Sequence, residues 1–266
     1  MSNPQLTRRT AAVTGATGAI GMAIARQLAS KGFSVVLLTR NASKSSLVVE
    51  ELIQFTKNEN IHYELVDLSS RASIQSLASS WEEPLHVLIN NAAISPISRE
   101  ETKEGIELQF ATNVLGYFWM IEIFSNILKQ YSPSRIINVA SYWAGGLDLN
   151  DLEFKNRPYH NHSSYRQSKQ ANRMLTPIFA ESLKSAGITV NTCHPGDVNS
   201  ALSNSLGFGG SQSPDQGAKT PAWLATSPTV SNITGKYFES SKEIFCPFGS
   251  QTSEAQQLFK ICQSYT

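Results

Sequence analysis

The amino-acid sequence predicts an α/β fold, a doubly wound parallel sheet flanked by helices on both faces, in a single domain. Short apolar runs rich in β-branched residues recur along the chain, and their apolarity is continuous rather than alternating. Continuous apolarity is typical of strands that are covered on both faces, as in a parallel sheet. Stretches with the apolar spacing of helices separate the runs, and such alternation builds the sheet through right-handed crossovers.

The elements follow in order. The six predicted strands are Ala11–Val13, Phe33–Leu38, Ile61–Val66, Leu85–Ile89, Arg135–Val139 and Ile188–Thr192. A first helix is indicated by Ile20, Ile24 and Leu28, which recur at i, i+4 and i+8. The later helices are predicted at Ser46–Phe55, Ser73–Trp81, Gly105–Gln130 and Ser164–Ala186. Gly32 and Gly187 each follow a predicted helix, where a left-handed residue commonly ends it.

No linker or composition shift divides residues 1–266, so we expect one domain. One long segment, residues 198–214, separates the last predicted strand from the C-terminal part of the chain. Its stretch from Ser200 to Pro214 is rich in Ser, Asn, Gly and Gln. Because a long polar segment of this kind inside a domain is commonly functional, it is predicted to be a mobile lid over a site.

The composition excludes several classes of protein. The 22 Lys+Arg residues nearly balance the 21 Asp+Glu residues, so the basic field that a nucleic-acid partner requires is absent. The three cysteines, Cys193, Cys246 and Cys262, lack the spacing of a metal site or a disulfide framework, so no metal is expected. A reducing, cytoplasmic location is the simplest interpretation.

Two sequence features bear on membranes. Met1–Thr10 is polar and lacks the apolar stretch of a signal peptide. No run of about 18 apolar residues occurs anywhere, so no membrane span is expected.

A glycine-rich turn, Thr14–Gly21, lies between the first strand and the first helix, which is the context of a dinucleotide-binding Rossmann fold. Gly15 permits a tight turn, Gly18 lets the backbone approach a pyrophosphate, and Gly21 lets the helix pack closely. The helix N-terminus then offers unpaired N–H groups to the phosphates. An ordinary glycine-rich turn is the alternative. The predicted cofactor contacts here are Gly15, Thr17, Gly18, Ala19, Ile20 and Gly21.

The end of the second strand indicates which dinucleotide binds. NAD sites usually place Asp or Glu there, whereas this strand ends in Arg40 and Asn41. Arg40 can pair with a 2′-phosphate through its planar guanidinium, and Asn41 is a smaller donor, so NADP(H) is the favoured cofactor. The alternative interpretation is that Arg40 is only a solvated surface residue. Asp67, next to Leu68, could accept from the adenine amino group or could only cap the following helix, and both interpretations stay open.

One of the eight tyrosines, Tyr165, has a lysine four residues later, Lys169. On a helix this spacing places both side chains on one face. A nearby ammonium is expected to lower the phenol pKa from about 10, so that Tyr165 could exchange a proton with an alcohol oxygen. Lys169 could also bind the nicotinamide ribose. Alone, the pair is a common helix-surface arrangement.

Other strand ends strengthen the hypothesis, because ligands bind beyond the carboxyl ends of such strands. Ser141 ends the fifth predicted strand, and its hydroxyl can polarise a carbonyl oxygen, although it could also be a simple turn residue. The fourth strand ends in Asn91, Ala92 and Ala93, where small side chains let a cofactor approach. Asn113 is a polar residue among apolar neighbours and could anchor a proton-relay water.

Together these motifs resemble the short-chain dehydrogenase/reductase superfamily. The residues that carry the resemblance are Thr14–Gly21, Asn90–Ala93, Asn113, Ser141, Tyr165, Lys169 and His194-Pro195-Gly196. Three further motifs resemble one branch of the superfamily, that of the retinol dehydrogenases and the WW-domain oxidoreductase. They are Gly105-Ile106-Glu107, Asn113-Val114-Leu115-Gly116 and Gly235-Lys236-Tyr237-Phe238.

The resemblance implies hydride transfer between nicotinamide C4 and a carbonyl carbon. It assigns Tyr165 as the acid/base, Lys169 as the residue that tunes it, Ser141 as the substrate stabiliser and Asn113 as part of the proton relay. It also implies that the segment beginning Pro195, Gly196 and Val198 closes around the nicotinamide.

Some positions depart from the family pattern. Ala19 stands where many relatives have the second fingerprint glycine, and Ser200 stands near the position of a threonine that holds the carboxamide. Asp197 adds an unusual carboxylate near the nicotinamide end. Membrane-bound relatives carry an N-terminal anchor, whereas the first strand here begins within about ten residues, so that location is not expected.

We therefore expect an NADP(H)-dependent oxidoreductase acting on a small-molecule carbonyl or alcohol. The lid residues Leu202, Leu206 and Phe208 favour an apolar or aromatic ketone or aldehyde, unless they only pack the core. The alternative function is a catalytically silent NADP(H)-binding sensor or scaffold. The long helices at 105–130 and 164–186 often pair between subunits in relatives, and they are the candidate interface of a homodimer.

Overall fold

The computed structural model describes residues 8–250 and 252–265, and the side chains within them except those of residues 250 and 252. The prediction about Met1–Thr10 falls largely on residues 1–7, which lie outside the described residues. The strands are β1 (Thr10–Thr14), β2 (Ser34–Thr39), β3 (Ile61–Leu65), β4 (Val87–Asn90), β5 (Ser134–Val139), β6 (Ile188–His194), β7 (Tyr237–Glu239) and β8 (Lys242–Ile244).

The helices connect these strands. They are α1 (Ala19–Ser30), α2 (Ala42–Thr56), α3 (Arg71–Ser79), α4 (Leu108–Phe110), α5 (Gly116–Gln130), α6 (Asn161–Leu183), α7 (Ala201–Ser205), α8 (Pro214–Thr226) and α9 (Thr252–Ser264). A π-helical turn, Ala111–Leu115, joins α4 to α5.

The strands form one sheet in the order β3-β2-β1-β4-β5-β6-β7-β8. Every neighbouring pair is parallel except β7 and β8, which are antiparallel. The strand order reverses between β1 and β4, and ligands bind outside the carboxyl ends of the strands at such a switch point. The fold class predicted from the sequence is confirmed.

Side-chain alternation in β2 shows how the sheet is covered on both faces. Val36 and Leu38 belong to a core that includes Phe118 of α5, whereas Leu37 belongs to a second core that includes Leu28 of α1. Both cores are fully buried, which explains why the strands read as continuous apolar runs.

The structure differs from the predicted elements at several places. Helices α7, α8 and α9 were not predicted. β7 and β8 were not predicted, because each has three residues and β8 is exposed throughout. The helix predicted from Gly105 begins at Leu108 instead. Gly105 has a φ of +78° in a turn, and the side chain of Glu107 accepts from the N–H groups of Gln109 and Phe110, which caps the helix after it.

The C-terminal helix covers the helices that were expected to pair between subunits. The Phe259 ring of α9 lies 5.1 Å from that of Phe118 in α5 and 5.2 Å from that of Phe179 in α6. Trp119 donates through Nε1 to the backbone oxygen of Tyr265 at 3.0 Å. A homodimer stays a prediction, and it would have to use faces of α5 and α6 that α9 leaves free.

Within residues 8–250 and 252–265, no helix has the length and apolarity needed to cross a membrane. The same residues hold no group of three or more His, Cys, Asp or Glu side chains that could bind a metal ion.

Candidate active site

The glycine-rich turn between β1 and α1 packs directly against the end of β4. Gly15 has a φ of +65°, and a Cβ at this position would lie 2.8 Å from Cα of Ala92. A Cβ at Gly21 would collide with the carbonyl oxygen of Gly15. Gly18 donates its N–H to Gly15 at 3.0 Å and caps α1 without a side-chain hydrogen bond. The turn therefore requires glycine at positions 15 and 21, and it leaves the first N–H groups of α1 facing the cleft.

Thr14 ties the ends of β1 and β4 together, a role that the sequence analysis missed. Its Oγ1 accepts from the backbone N–H of Asn91 at 2.8 Å and of Ala92 at 3.0 Å. The Asn91 side chain donates to the Thr14 carbonyl at 2.9 Å. The Asn91 amide is thus engaged in fixing the switch point, where it holds Ala92 and Ala93 at the cleft.

A cleft of about 570 Å³ opens at this switch point. The predicted cofactor residues that line it are Gly15, Thr17, Gly18, Ala19, Ile20, Gly21, Arg40, Asn41, Leu68, Asn91, Ala92 and Ala93. Lys44 lines it as well. Val66, Ile94 and Thr112 also line it and were not among the predicted cofactor residues. A helix N-terminus at one end and cations at the rim fit a dinucleotide pyrophosphate and an additional phosphate.

Arg40 and Lys44 are the cations of this rim. Arg40 is exposed, and among the described residues it makes no salt bridge. Asn41 caps α2, because its Oδ1 accepts the Lys44 N–H at 2.9 Å. Its amide oxygen is therefore engaged, whereas a ligand can still receive hydrogen bonds from its Nδ2 group and from the guanidinium and ammonium groups.

Asp67 does not line the cleft. Its Oδ1 accepts from the N–H of Ser69 at 3.0 Å and from the Ser69 hydroxyl at 2.7 Å. Ser70, rather than Asp67, caps α3. The structure therefore shows Asp67 in a local turn and not as a helix cap. The other interpretation, a contact with the adenine amino group, stays a prediction.

Three of the four predicted catalytic residues, Ser141, Tyr165 and Lys169, converge at the carboxyl edge of the sheet. Tyr165 and Lys169 lie one turn apart on α6 and are 8% and 2% exposed, and Ser141, just beyond β5, is 6% exposed. Nζ of Lys169 donates to the Val139 carbonyl at 3.0 Å and lies 5.6 Å from the centroid of the Tyr165 ring.

Burial, rather than charge, sets the ionisation of this pair. It raises the pKa of Tyr165 to about 12, against the effect of a hydrogen bond with Ser141 that lowers it. It lowers the pKa of Lys169 to about 7. The expectation that Lys169 lowers the Tyr165 pKa was therefore wrong for this state of the protein, because removing both groups from water disfavours both charged forms. Tyr165 is consequently a protonated donor at neutral pH.

Asn113 lies in the π-helical turn and is fully buried. Its Oδ1 accepts from the N–H of Ile94 at 2.9 Å, and its Nδ2 donates to the Ile94 carbonyl at 2.9 Å. Nδ2 also contacts Oγ of Ser168 at 3.3 Å. Since the side chain is engaged in holding the loop after β4, its contact with a relay water stays a prediction. Turns of π type often occur at functional sites.

A second cavity of about 60 Å³ lies beside the catalytic residues. Its walls include Ser141, Tyr165, Trp143, His194, Pro195, Gly196, Asp197, Val198, Leu202, Leu206 and Phe208. The Trp143 ring is 5.2 Å from that of Phe208 and 5.5 Å from that of His162. Phe208 of the predicted lid and Tyr165 thus line the same cavity, with Trp143 next to both rings.

The predicted lid is an ordered strap that contains α7. Val198 pairs with Gln212 in an isolated parallel bridge. Ser200 caps α7 by accepting the N–H of Ser203 at 3.1 Å, so its hydroxyl already has a structural partner. Ser200 and Leu202 line both cavities, which places α7 as the wall between the nucleotide cleft and the catalytic residues.

Together, the switch-point cleft and the Ser–Tyr–Lys group define a dinucleotide-binding oxidoreductase of the doubly wound class. The family model described as short chain dehydrogenase matches residues 9–207. The chain belongs to this family, whose members use a nicotinamide cofactor and act on alcohol and carbonyl groups.

Relatives place the chain in the retinol dehydrogenase branch, as the sequence predicted. It is 32% identical to human "Retinol dehydrogenase 13", over 88% of this chain and 77% of the relative. It is 34% identical to a "Probable oxidoreductase" of Streptomyces antibioticus, over 90% and 87%. Human "Polyprenol dehydrogenase" is 32% identical, over 88% and 78%.

Solved structures share the fold. A putative uncharacterized protein from Mycobacterium paratuberculosis superposes with a TM-score of 0.81 at 24% identity, covering 98% of this chain and 94% of that one. A variant of actinorhodin polyketide ketoreductase, solved with NADPH, gives a TM-score of 0.69 at 24% identity, covering 88% and 95%.

Proposed function

We propose that this protein is an NADP(H)-dependent reductase of apolar or aromatic ketones or aldehydes. The observation that carries the proposal is the convergence of Ser141, Tyr165 and Lys169, all buried, at the end of a cleft built at the switch point of the sheet. A protein that only bound the nucleotide would not need a buried ammonium beside a buried phenol. Burying a lysine lowers its pKa, which is a cost that a functional site explains.

NADP(H) is favoured over NAD(H) by the charges at the nucleotide cleft. No carboxylate lies at the end of β2, where a ribose 2′-hydroxyl would be bound. Arg40 and Lys44 line the cleft instead, and a guanidinium can bind a 2′-phosphate through two hydrogen bonds.

The walls of the second cavity favour an apolar or aromatic substrate. Trp143, Leu206 and Phe208 supply most of its apolar surface. His194 stays neutral there, because burial lowers its pKa to about 4. The cavity of about 60 Å³ is smaller than a typical ligand site, so a drug-sized substrate would need more room than its walls leave here.

The catalytic steps follow from the protonation states of the residues. When bound, the reduced cofactor supplies a hydride to the carbonyl carbon. The hydroxyl of Ser141 donates to the carbonyl oxygen and stabilises the charge that develops on it. Tyr165, protonated at neutral pH, gives its proton to that oxygen. Lys169 in its charged form stabilises the phenolate that remains.

The proposal is tested by following NADPH oxidation with a panel of ketones and aldehydes. We expect Tyr165→Phe to lower kcat by about 10²-fold or more, because the proton donor is removed. Tyr63→Phe is the matched control: Tyr63 lies on the edge strand β3 and lines neither cavity of the site, so this variant should be as active as the wild type. Equal turnover by the Tyr165→Phe variant would exclude the mechanism. Tight NADPH binding without turnover of any substrate would instead support the sensor or scaffold function.

We also propose a cytoplasmic location, with a small molecule rather than a nucleic acid as the partner. All three cysteines are free, which is typical of a reducing compartment. Fractionation of cells that express the full chain tests this proposal, and recovery with membranes or in an oxidising compartment would contradict it.

A further inference from the structure

A second buried asparagine lies beside the catalytic residues. Asn172 belongs to α6, three residues after Lys169, and is 2% exposed. Its Nδ2 donates to the backbone carbonyl of Asn113 at 3.0 Å. Its Oδ1 is buried and accepts no hydrogen bond from any residue in the described part of the chain. Because nearly all buried acceptors in proteins have a partner, an ordered water is the expected one.

Lys169 has donors to spare on the same side of the site. An ammonium carries three N–H groups. Within the described residues, one of them donates to the Val139 carbonyl at 3.0 Å. The other close neighbours of Nζ are the rings of Tyr117, at 5.3 Å from the centroid, and Tyr165, at 5.6 Å. Neither ring supplies a full acceptor for the remaining N–H groups.

Lys169 and Asn172 face the same segment of chain. Lys169 contacts Tyr117, and Asn172 contacts Asn113. Lys169 and Asn172 are also three residues apart on α6, so their side chains are neighbours on one face of the helix, with Cβ atoms about 5–6 Å apart. One water that makes hydrogen bonds of about 2.8 Å to both side chains can bridge such neighbours. The Asn113 side chain cannot hold that water, because it is engaged with Ile94.

We propose that Asn172 is a positioning residue that holds a buried water against Lys169 and thereby keeps the lysine charged. The water accepts an N–H from Lys169 and donates to Oδ1 of Asn172, while Nδ2 of Asn172 fixes the Asn113 carbonyl next to it. The inference rests on the proposed function, because Asn172 acts on the reaction only through Lys169 and Tyr165.

The groups that surround Lys169 explain why the proposed water would affect its ionisation. The titratable groups that face Nζ are Tyr117 from α5, Tyr165 from its own helix and Cys193 from β6. Burial raises the pKa of Tyr117 and of Cys193, so both are neutral at working pH. Burial also lowers the pKa of Lys169 to about 7. Because this set contains no carboxylate, the water held by Asn172 is the partner that raises the charged fraction of Lys169 near neutral pH.

The test measures the charge of Lys169 directly. The full-length protein is labelled with 13C at the lysine ε-carbon, the Lys169 signal is assigned with Lys169→Met, and its pKa is read from an NMR titration. Asn172→Leu, which removes both polar atoms, should lower that pKa by about one unit or more. Asn172→Asp keeps an acceptor oxygen and adds negative charge, so it should raise the pKa. The alkaline limb of the pH–rate profile for carbonyl reduction should move in the same directions.

Thr176→Val is the matched control for a purely structural effect. Thr176 is fully buried one turn beyond Asn172, and its hydroxyl donates to the Asn172 carbonyl at 2.8 Å. We expect this variant to leave the Lys169 titration unchanged. An unchanged titration in Asn172→Leu would overturn the proposal, and so would a lowered pKa in Asn172→Asp, which would show that only the contact with Asn113 matters. If Asn172→Leu does not fold, Asn172→Ala takes its place, and an unchanged Lys169 titration in that variant would equally overturn the proposal.

The outcomes are distinguishable from failure of the proposed function. The NMR titration needs neither substrate nor turnover, so it tests Asn172 even if no carbonyl compound is reduced. Conversely, full activity in Tyr165→Phe would exclude the proposed chemistry whatever Asn172 does to the Lys169 pKa.

Discussion

At the scale of single residues, the chemistry of the site is controlled by what the protein removes from water. Tyr165 and Lys169 are buried together, and burial moves their pKa values to about 12 and about 7. The phenol is thereby kept as a proton donor, whereas the lysine becomes sensitive to any partner near neutral pH. The four-residue spacing of Tyr165 and Lys169 in the sequence could not predict these pKa values, because they depend on how deeply the rest of the chain buries the two side chains.

Arg40 provides a residue-scale prediction about the cofactor. Arg40→Ala should weaken NADPH binding by roughly 10- to 100-fold, because a charged hydrogen bond to the 2′-phosphate is worth about 1.5–3 kcal/mol. NADH binding should change by less than about twofold, since NADH lacks that phosphate. Dissociation constants from nucleotide fluorescence measure both. Arg8→Ala, a change of another exposed arginine, is the control, and equal losses for NADPH and NADH in the Arg40 variant would contradict the assignment.

At the scale of elements, the segment that leads into the π-helical turn depends on one buried carboxylate. Glu107 is fully buried, caps α4 through both of its carboxylate oxygens, and receives no salt bridge from the described residues. Its N–H donates to Oε2 of Glu153 at 3.0 Å. Burial raises the pKa of Glu107 to about 7. The element that carries Asn113 is therefore anchored by a group that titrates near neutral pH.

This anchor predicts how stability depends on pH. Glu107 has a higher pKa in the folded than in the unfolded protein, so the folded state binds more protons and its stability falls as pH rises from about 4.5 to about 7. Glu107→Gln should remove this part of the slope, a difference of up to about 3 kcal/mol between the two ends. Urea unfolding at several pH values measures it. Glu104→Gln, an exposed glutamate in the same loop, should keep the wild-type slope, and an unchanged slope in Glu107→Gln would refute the prediction.

The elements also show how much of the fold the sequence could specify. β1, β2, β4, β5 and β6 were predicted because burial on both faces leaves an apolar run in each, whereas the edge strand β3 was predicted although only Ile61 in it is buried. β7 and β8 were missed, since Lys242–Ile244 is exposed and short. The π-helical turn was missed because it depends on the bonds between Asn113 and Ile94, which join residues 19 positions apart. For the same reason, Asn172 could be found only once its contact with Asn113 was known.

At the scale of the whole molecule, the chain covers its own catalytic helix. The outer side of α6 packs against α9, while Tyr165 and Lys169 belong to the same α6. Leu258 of α9 is fully buried in the core that includes Phe118 and Met174. The position of the catalytic pair is thus coupled to the packing of residues almost a hundred positions later in the chain.

This coupling predicts that α9 is required for stability rather than for chemistry itself. Leu258→Ala should lower the free energy of unfolding by about 2–5 kcal/mol, because it removes a fully buried side chain and leaves a cavity. At temperatures where the variant is still folded, its kcat should stay within about twofold of the wild type, since no atom of Leu258 lines the cavities at the site. Denaturant unfolding and NADPH oxidation on the same samples separate the two effects.

Leu47→Ala is the control: at a position that is 66% exposed, it should lower the free energy of unfolding by less than about 0.5 kcal/mol. A loss below about 1 kcal/mol in Leu258→Ala would show that α9 does not support the core, and a large fall in kcat with unchanged stability would make it part of the catalytic machinery instead.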